Sequence, residues 1–420
     1  MLLRLLAAIF TSKPMGLSQE SNLLSRASQD LDHTLATHIG PDDILSILAV
    51  SMPAFTTTLG DSDRINTAVT GISTNVIGPL LRSRLFPNNL NRNFVTLLQH
   101  IVRAQGTAKV WKKDIAEAFN DPRFFNSHVE LVKDGWMNLL RQWVLADKER
   151  LTELLGRLPP PSTAGIMFGV GASAARLDAD RKAQLNLRRI TLLILSSNDD
   201  YFMGELPGLL QKLEDLLGAT SSSSPSSTTR AEVFMVLRAL ALKSSTTALG
   251  PFWPLINTEL QEAISAIPLG AQQEVYNPYS LLQACKLLDT LLVLTPDDFQ
   301  LVEWLFVTDT VDAVYPPEHW DSVALVDEVS QNLGARPSPS PDAPAETATD
   351  GDRNAKNPAL VADWIRDVAK DEIVERVLRP FFDQLSIRAY ESTYSMGRPS
   401  LETCLDDLLA DLFNESTMAH

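Results

Sequence analysis

The residues best suited to chemistry in this chain are few, and their spacing does not assemble them. Gly169-Val170-Gly171-Ala172-Ser173 has the small residues of a phosphate-binding loop. A P-loop also needs Gly-Lys-Ser/Thr, so that a lysine reaches the phosphates, and a dinucleotide loop needs a preceding strand and a third glycine. Neither is present, so the segment reads as a glycine-rich loop between helices. Six histidines, at 33, 38, 100, 128, 319 and 420, are scattered. His33 and His38 are five apart and do not align on one helix face as a ligand pair would. The two cysteines, Cys285 and Cys404, lie far apart in apolar runs and offer no activated thiolate. No G-x-S-x-G elbow occurs. The expectation is a protein without catalytic residues, metal or cofactor.

Two constellations suit contacts rather than reactions. Lys109-Val110-Trp111-Lys112-Lys113 is the densest basic cluster. Lys109, Lys112 and Lys113 around Trp111 would suit an anionic headgroup interface. The same pattern also fits a solvated helix face with Trp111 packed inward. Arg181-Lys182 and Arg188-Arg189 either extend such a patch or pair with acids on adjacent helices. The second constellation is Leu281, Cys285, Leu288 and Leu292, at spacings of four, three and four, an apolar seam along one helix face. A coiled coil needs three or four heptads and Pro296 stops this run sooner, so the seam reads as core rather than an intermolecular zipper. Past Thr295-Pro296-Asp297-Asp298, the run Phe299, Val302, Trp304, Leu305 and Phe306 predicts a second amphipathic helix and hence a helical hairpin. The acids Asp297, Asp298, Asp309, Asp312, Asp321, Asp327 and Glu328 form a solvated face or a dock for a basic partner.

Bulk properties narrow the classes. The chain has 420 residues, 45% of them hydrophobic, enough for several cores or one long one. Two cysteines give no disulfide framework and favour a reducing compartment. The net charge of −16 is uneven: residues 1–218 carry 23 Lys+Arg against 22 Asp+Glu, and residues 219–420 carry 13 against 30. The acidic half would be repelled by anionic lipid, whereas the near-neutral half could present a basic face. No motif supports nucleic-acid binding, and no apolar run reaches transmembrane length. The opening MLLRLLAAIF imitates a short signal peptide but lacks an A-x-A-like site. It reads as an amphipathic or buried helix whose upstream partner is missing, or as a membrane-surface helix.

The elements that must position these groups read as helix after helix. Asp42-Asp43, Asp61 and Asn91 stand at helix starts, and further helices are predicted over Val129–Leu145, Lys148–Leu158, Asp178–Ser196 and Leu206–Leu217. Alternating strand patterns are scarce. Hairpins recur at roughly 40 residues, the scale of HEAT or armadillo pairs. The expected fold is all-α, a HEAT/armadillo-like α-solenoid of helical hairpins with two disordered linkers. The expected segments are a helical array over 1–218, a Ser-rich linker over 219–229, Leu-rich hairpins over 230–334, a disordered Pro/acidic linker over 335–357 and C-terminal helices over 358–420. Pro380 should kink or break the helix predicted over Asp371–Tyr394.

Several segments together resemble one family. QWVLADKERLTELL (142–155), AGIMFGVGASAARLDADRKAQLNLRRITLLILS (164–196), AEVFMVLRALALK (231–243), NPYSLLQACKLLDTLLVLTPDDFQLVEWLFVTDTVDAVYP (277–316) and FFDQLSIRAYESTYSM (381–396) are similar to the C-terminal region of the Dopey family, most of all its filamentous-fungal members. The resemblance implies a peripheral membrane scaffold of Golgi and endosomes. It would act in endosome-to-Golgi retrieval with a large Arf-exchange-factor-like scaffold and an aminophospholipid flippase, and in fungal morphogenesis. It implies a leucine-zipper-like C-terminal region and no catalytic residues. The family's large N-terminal region is not in this chain, which implies a fragment or a truncated gene model. The alternative reading is a phosphoinositide-binding peripheral membrane module using the N-terminal half.

Overall fold

The computed structural model describes residues 41–104, 106–159, 172–217, 227–272, 275–307, 324–333, 360, 368–383, 385, 401–414 and 417. Every regular element among them is helical. None of the described helices is long and apolar enough to cross a membrane. The chain divides into two compact units, Met1–Lys148 and Glu149–His420. The division falls inside the array expected over 1–218. The opening MLLRLLAAIF, the loop at 169–171 and the linker at 335–357 lie outside the described residues.

In the first unit, α1 (Pro41–Leu59), α2 (Ser62–Ile72), α3 (Arg92–Arg103), α4 (Ala108–Asn120) and α5 (Met137–Ala146) are the main helices. Two of them, α2 and α3, start on a side-chain cap. The Asp61 carboxylate accepts from the Asp63 amide at 3.1 Å, and the Asn91 carbonyl oxygen accepts from the Phe94 amide at 3.0 Å. Each such cap satisfies an otherwise orphaned donor and is worth about 1 kcal/mol. The core is aromatic: Phe124 meets Trp136 edge-on with centroids 5.1 Å apart, and Phe119 meets Trp143 at 5.5 Å. α3 crosses this cluster closely. A Cβ on Gly135 would lie 2.2 Å from Cγ1 of buried Val95, so only glycine fits that crossing.

A π-helical turn at Ser73–Ile77 continues α2 towards Gly78-Pro79. There Ser73 Oγ donates to Asp114 Oδ1 at 2.8 Å. Burial pushes the Asp114 carboxyl up to about 6, against that hydrogen bond. A folded pKa above the unfolded 3.8 means that the folded state takes up the proton first. Stability from this group therefore grows as pH falls through about 6 and is complete below the unfolded value. Asp114→Asn keeps an acceptor for Ser73 and removes the buried charge. It should stabilise the chain by about 1–3 kcal/mol at pH 7. Urea unfolding at pH 7 and pH 4 checks this: the gain should vanish at the lower pH.

In the second unit the chain forms α6 (Arg150–Gly156), α7 (Ala172–Ser196), α8 (Leu206–Leu217), α9 (Ser227–Lys243), α10 (Trp253–Ala266), α11 (Pro278–Leu294), α12 (Leu325–Leu333) and α13 (Leu401–Leu412). α9 packs between α7 and α11, α10 packs on α11 and α12, and α13 lies against α7, α9 and α11. α7 begins at Ala172, ahead of the expected Asp178. α9 begins at Ser227, so the last three residues assigned to the Ser-rich linker are its first turn. Pro380 does not break its helix. A π turn at Val374–Leu378, closed by the Arg379 amide donating to the Val374 carbonyl, widens the backbone just before it.

The hairpin around Pro296 differs from expectation in both arms. α11 opens with a reciprocal capping box between Asn277 and Ser280 and ends at Thr295 in the left-handed region. Leu281, Cys285 and Leu288 are buried and Leu292 is half-buried. Gln283, Lys286, Asp289 and Thr290 are buried as well, so α11 is enclosed on all sides and the seam is not a single apolar face. The second arm is a short helix, Asp297–Gln300, followed by a 3-10 turn, Glu303–Leu305. Phe299 stacks on Trp253 at 6.2 Å and Phe306 on Phe299 at 6.0 Å. Bringing both phenylalanines into one stack forces the tighter turn, and Trp304 and Leu301 face outward.

Candidate functional site

The strongest concentration of charged side chains lies inside the second unit. Asp407 and Asp411 stand four apart on α13, hence on one face. Opposite them are Arg238 on α9 and Gln283 and Lys286 on α11. Arg238 Nη2 donates to Asp407 Oδ2 at 2.6 Å, and its Nη1 donates to Asp411 Oδ2 at 2.7 Å and Gln283 Oε1 at 2.9 Å. Lys286 Nζ donates to Asp407 Oδ1 at 3.0 Å and to both Asp411 oxygens at 2.9 Å. Gln283 Nε2 adds a bond to Asp411 Oδ2 at 3.0 Å.

A second arginine holds the end of the same helix. Arg188 on α7 donates through Nη1 to the Leu412 carbonyl at 2.8 Å and through Nη2 to Thr417 Oγ1 at 2.6 Å. Its Nε donates to Glu232 Oε1 on α9 at 2.8 Å. A cation at the C-terminus of α13 also complements the helix dipole. Arg230 works in the same way one helix over, joining Glu259 at 2.9 Å and the Leu217 carbonyl that ends α8 at 3.1 Å.

The central cluster therefore sets Arg188, Arg238 and Lys286 against Glu232, Asp407 and Asp411, all buried. Burial works to raise the Asp411 pKa, but Lys286 and Arg238 outweigh it and hold the carboxyl down at about 2. For Glu232 the balance reverses. Burial pushes its carboxyl up to about 7, only partly offset by Arg188. Burial also pushes the Cys285 thiol up, away from the thiolate a nucleophile needs. The arrangement is a clasp that specifies where α13 sits. Its three cations and three carboxylates balance in charge, with Arg238 Nε and Glu232 Oε2 left as buried atoms without a hydrogen-bond partner. Among the described residues no group of His, Cys, Asp and Glu could hold a metal ion.

The residues singled out in the sequence fall elsewhere. Trp111 is 5% exposed and packs inward, so it cannot anchor in a headgroup layer. Lys112 Nζ donates to the Ala146 carbonyl at 2.6 Å and caps α5. Lys109 and Lys113 are exposed. Of the second basic zone, Arg188 is drawn into the clasp and Lys182 pairs with Asp178 at 2.7 Å. Arg238, Lys286, Asp407 and Asp411 were missed. The available signal was a lone cation inside two apolar helices, FMVLRALAL and LQACKLLDTLL, with acids four apart in a third, LDDLLADL.

The family model described as DOP1 C-terminal matches residues 1–395. Protein dop1 of Emericella nidulans is 72% identical over 419 residues, covering 100% of this chain and 22% of that protein. Protein DOP1 of Saccharomyces cerevisiae is 26% identical over 84% of this chain and 20% of its own length, and Protein DOP1B of Mus musculus is 25% identical over 54% and 10%. No solved structure matches. The chain thus spans about a fifth of the length of its fungal relatives, and with the family model running through nearly all of it, it belongs to the DOP1 family as a C-terminal portion.

Proposed function

We propose that this chain is a non-enzymatic scaffold segment in endosome-to-Golgi retrograde vesicle traffic and Golgi organisation. It works at the cytoplasmic face of Golgi and endosomal membranes, with a large Arf-exchange-factor-like scaffold and an aminophospholipid flippase as partners. Membership of the DOP1 family supports this reading, because that is the role the Dopey resemblance implies. The observation that carries it is the closed clasp, in which the densest group of charged side chains is used to hold helices together. The test uses the chain as bait in a detergent extract of fungal membranes. Both partners should be retained, and both should be lost when Arg238→Met loosens α13. Retention of neither by a chain with native circular dichroism overturns the reading.

A second reading, direct contact with anionic lipid, is favoured by one feature. Residues 64–113 hold eight Lys and Arg and no acid. Within them Leu85 is 69% exposed, on a turn with exposed Arg82 and Arg84. Arg123 steadies that turn by donating to the Ser83 carbonyl at 2.9 Å. With Trp111 buried, this turn replaces it as the apolar contact, and Lys109 and Lys113 contribute charge alone. Each cation near an anionic leaflet is worth about 1 kcal/mol. Arg84→Glu combined with Leu85→Ser should therefore weaken flotation with phosphoinositide liposomes by at least about tenfold. Equal flotation of variant and native chain would assign recruitment to protein partners alone.

A further inference from the structure

The outward turn after α11 combines three features found together nowhere else among the described residues. Leu301 is 74% exposed and Trp304 57% exposed, one 3-10 turn apart. The turn is rigid. Phe299 and Phe306 anchor it in the stack on Trp253, Trp253 Nε1 donates to Asp298 Oδ2 at 2.9 Å, and Trp304 Nε1 donates to the Leu301 carbonyl at 3.2 Å. The Trp304 ring is thus presented with its polar atom already satisfied.

The third feature is charge. From Leu287 to Ala335 the sequence holds ten Asp and Glu and not one Lys or Arg. The acids at the turn itself are exposed Asp297, half-buried Glu303 and Asp298, which accepts from Trp253. The first turn of α12, which carries Asp327 and Glu328, is tied to it through the Val326 amide donating to the Phe306 carbonyl at 3.1 Å. An anchored aromatic and aliphatic pair flanked by acids, in a stretch of sequence without Lys or Arg, has the anatomy of an interface centre with a steering rim. An anionic membrane would be repelled by it.

We propose that the Leu301–Leu305 turn is a docking site for a basic peptide segment of a protein partner, whose apolar side chains cover Leu301 and Trp304 while its Lys and Arg meet the acidic rim. The site is independent of the clasp and goes beyond the scaffold role, since it states what chemistry one partner must carry.

The test uses the full chain and a fluorescein-labelled amphipathic helical peptide of Lys and Leu, with its Glu and Leu counterpart as control, read by anisotropy. The Lys peptide should bind, and binding should weaken by about tenfold or more as salt is raised from low to several hundred millimolar. The Glu peptide should not bind. Leu301→Ser with Trp304→Ser should reduce affinity by at least about tenfold, the scale of a hot-spot pair. Both side chains point to solvent, so the variant should keep the native circular dichroism. Val50→Ser, at an equally exposed apolar residue on α1, should change nothing. Asp297→Asn with Glu303→Gln and Glu328→Gln should flatten the salt dependence. Equal binding of the two peptides, or undiminished binding by the Leu301/Trp304 variant, overturns the proposal. So does equal capture by neutral phosphatidylcholine vesicles lost in the same variant, which would make the turn a lipid contact.

Discussion

Arg238→Met should destabilise the second unit by about 3–5 kcal/mol, because it leaves two buried carboxylates facing a single lysine. Arg238 is fully buried, and both Asp407 and Asp411 accept hydrogen bonds from it. Lys286 alone cannot neutralise them, and both carboxylates are buried. The size of the effect belongs to the unpaired charge rather than to the attraction between partners. It follows that Arg238→Met combined with Asp411→Leu, which restores neutrality, should cost clearly less than the sum of the single changes. Urea unfolding of the four proteins in the cycle checks this; additive losses would mean that the clasp is not coupled. Acid gives an independent readout. The folded Asp411 pKa of about 2 lies below the unfolded 3.8. Stability from this group is thus fully present above the unfolded value and is lost as pH falls towards the folded one. In Arg238→Met the carboxyls lose a stabilising cation, so the acid-unfolding midpoint should move to higher pH.

How much of this could be read from the chain depends on where each signal's partner lies. The α3 cap at Asn91 and the span of α8 were legible because a cap and an apolar period are decided within one or two turns. The character of α11 was not. A 3.6-residue reading treats Gln283, Lys286 and Asp289 as markers of solvent, and here all three are interior. Lys286 is made tolerable by Asp407, 121 residues later, and no local window contains that information. The second arm of the hairpin failed for the same reason, since its backbone is set by ring stacking on Trp253 of another helix. The seam residues Leu281, Cys285 and Leu288 were found because burial follows from apolarity whichever neighbour supplies it. The basic cluster was legible as a solvated helix face with Trp111 packed inward, and the buried indole agrees with that reading. What the local sequence could not show is that Lys112 caps a neighbouring helix, since the Ala146 carbonyl lies 34 residues on.

The clasp makes α13 part of the interior rather than an appendage, so its removal should cost more than any single substitution. A chain ending at Ser400 loses Leu408, Leu409 and Leu412 from the core, each buried leucine being worth about 1.5–3 kcal/mol. It also leaves Arg188, Arg238 and Lys286 with Glu232 as their only carboxylate from the cluster. The two losses together reach the total stability of an ordinary domain, about 5–15 kcal/mol. The truncated chain should therefore lose cooperative unfolding of residues 149–400 and expose apolar surface, seen as dye binding and fast amide exchange in α9 and α11. Because the recognition is specific, a synthetic peptide of residues 401–417 should restore protection when added back. The same peptide carrying Asp407→Asn and Asp411→Asn keeps every leucine and should fail to restore it. Restoration by both peptides would reduce the clasp to hydrophobic packing. A truncated chain that melts like the full one would show that α13 only rests on a core complete without it.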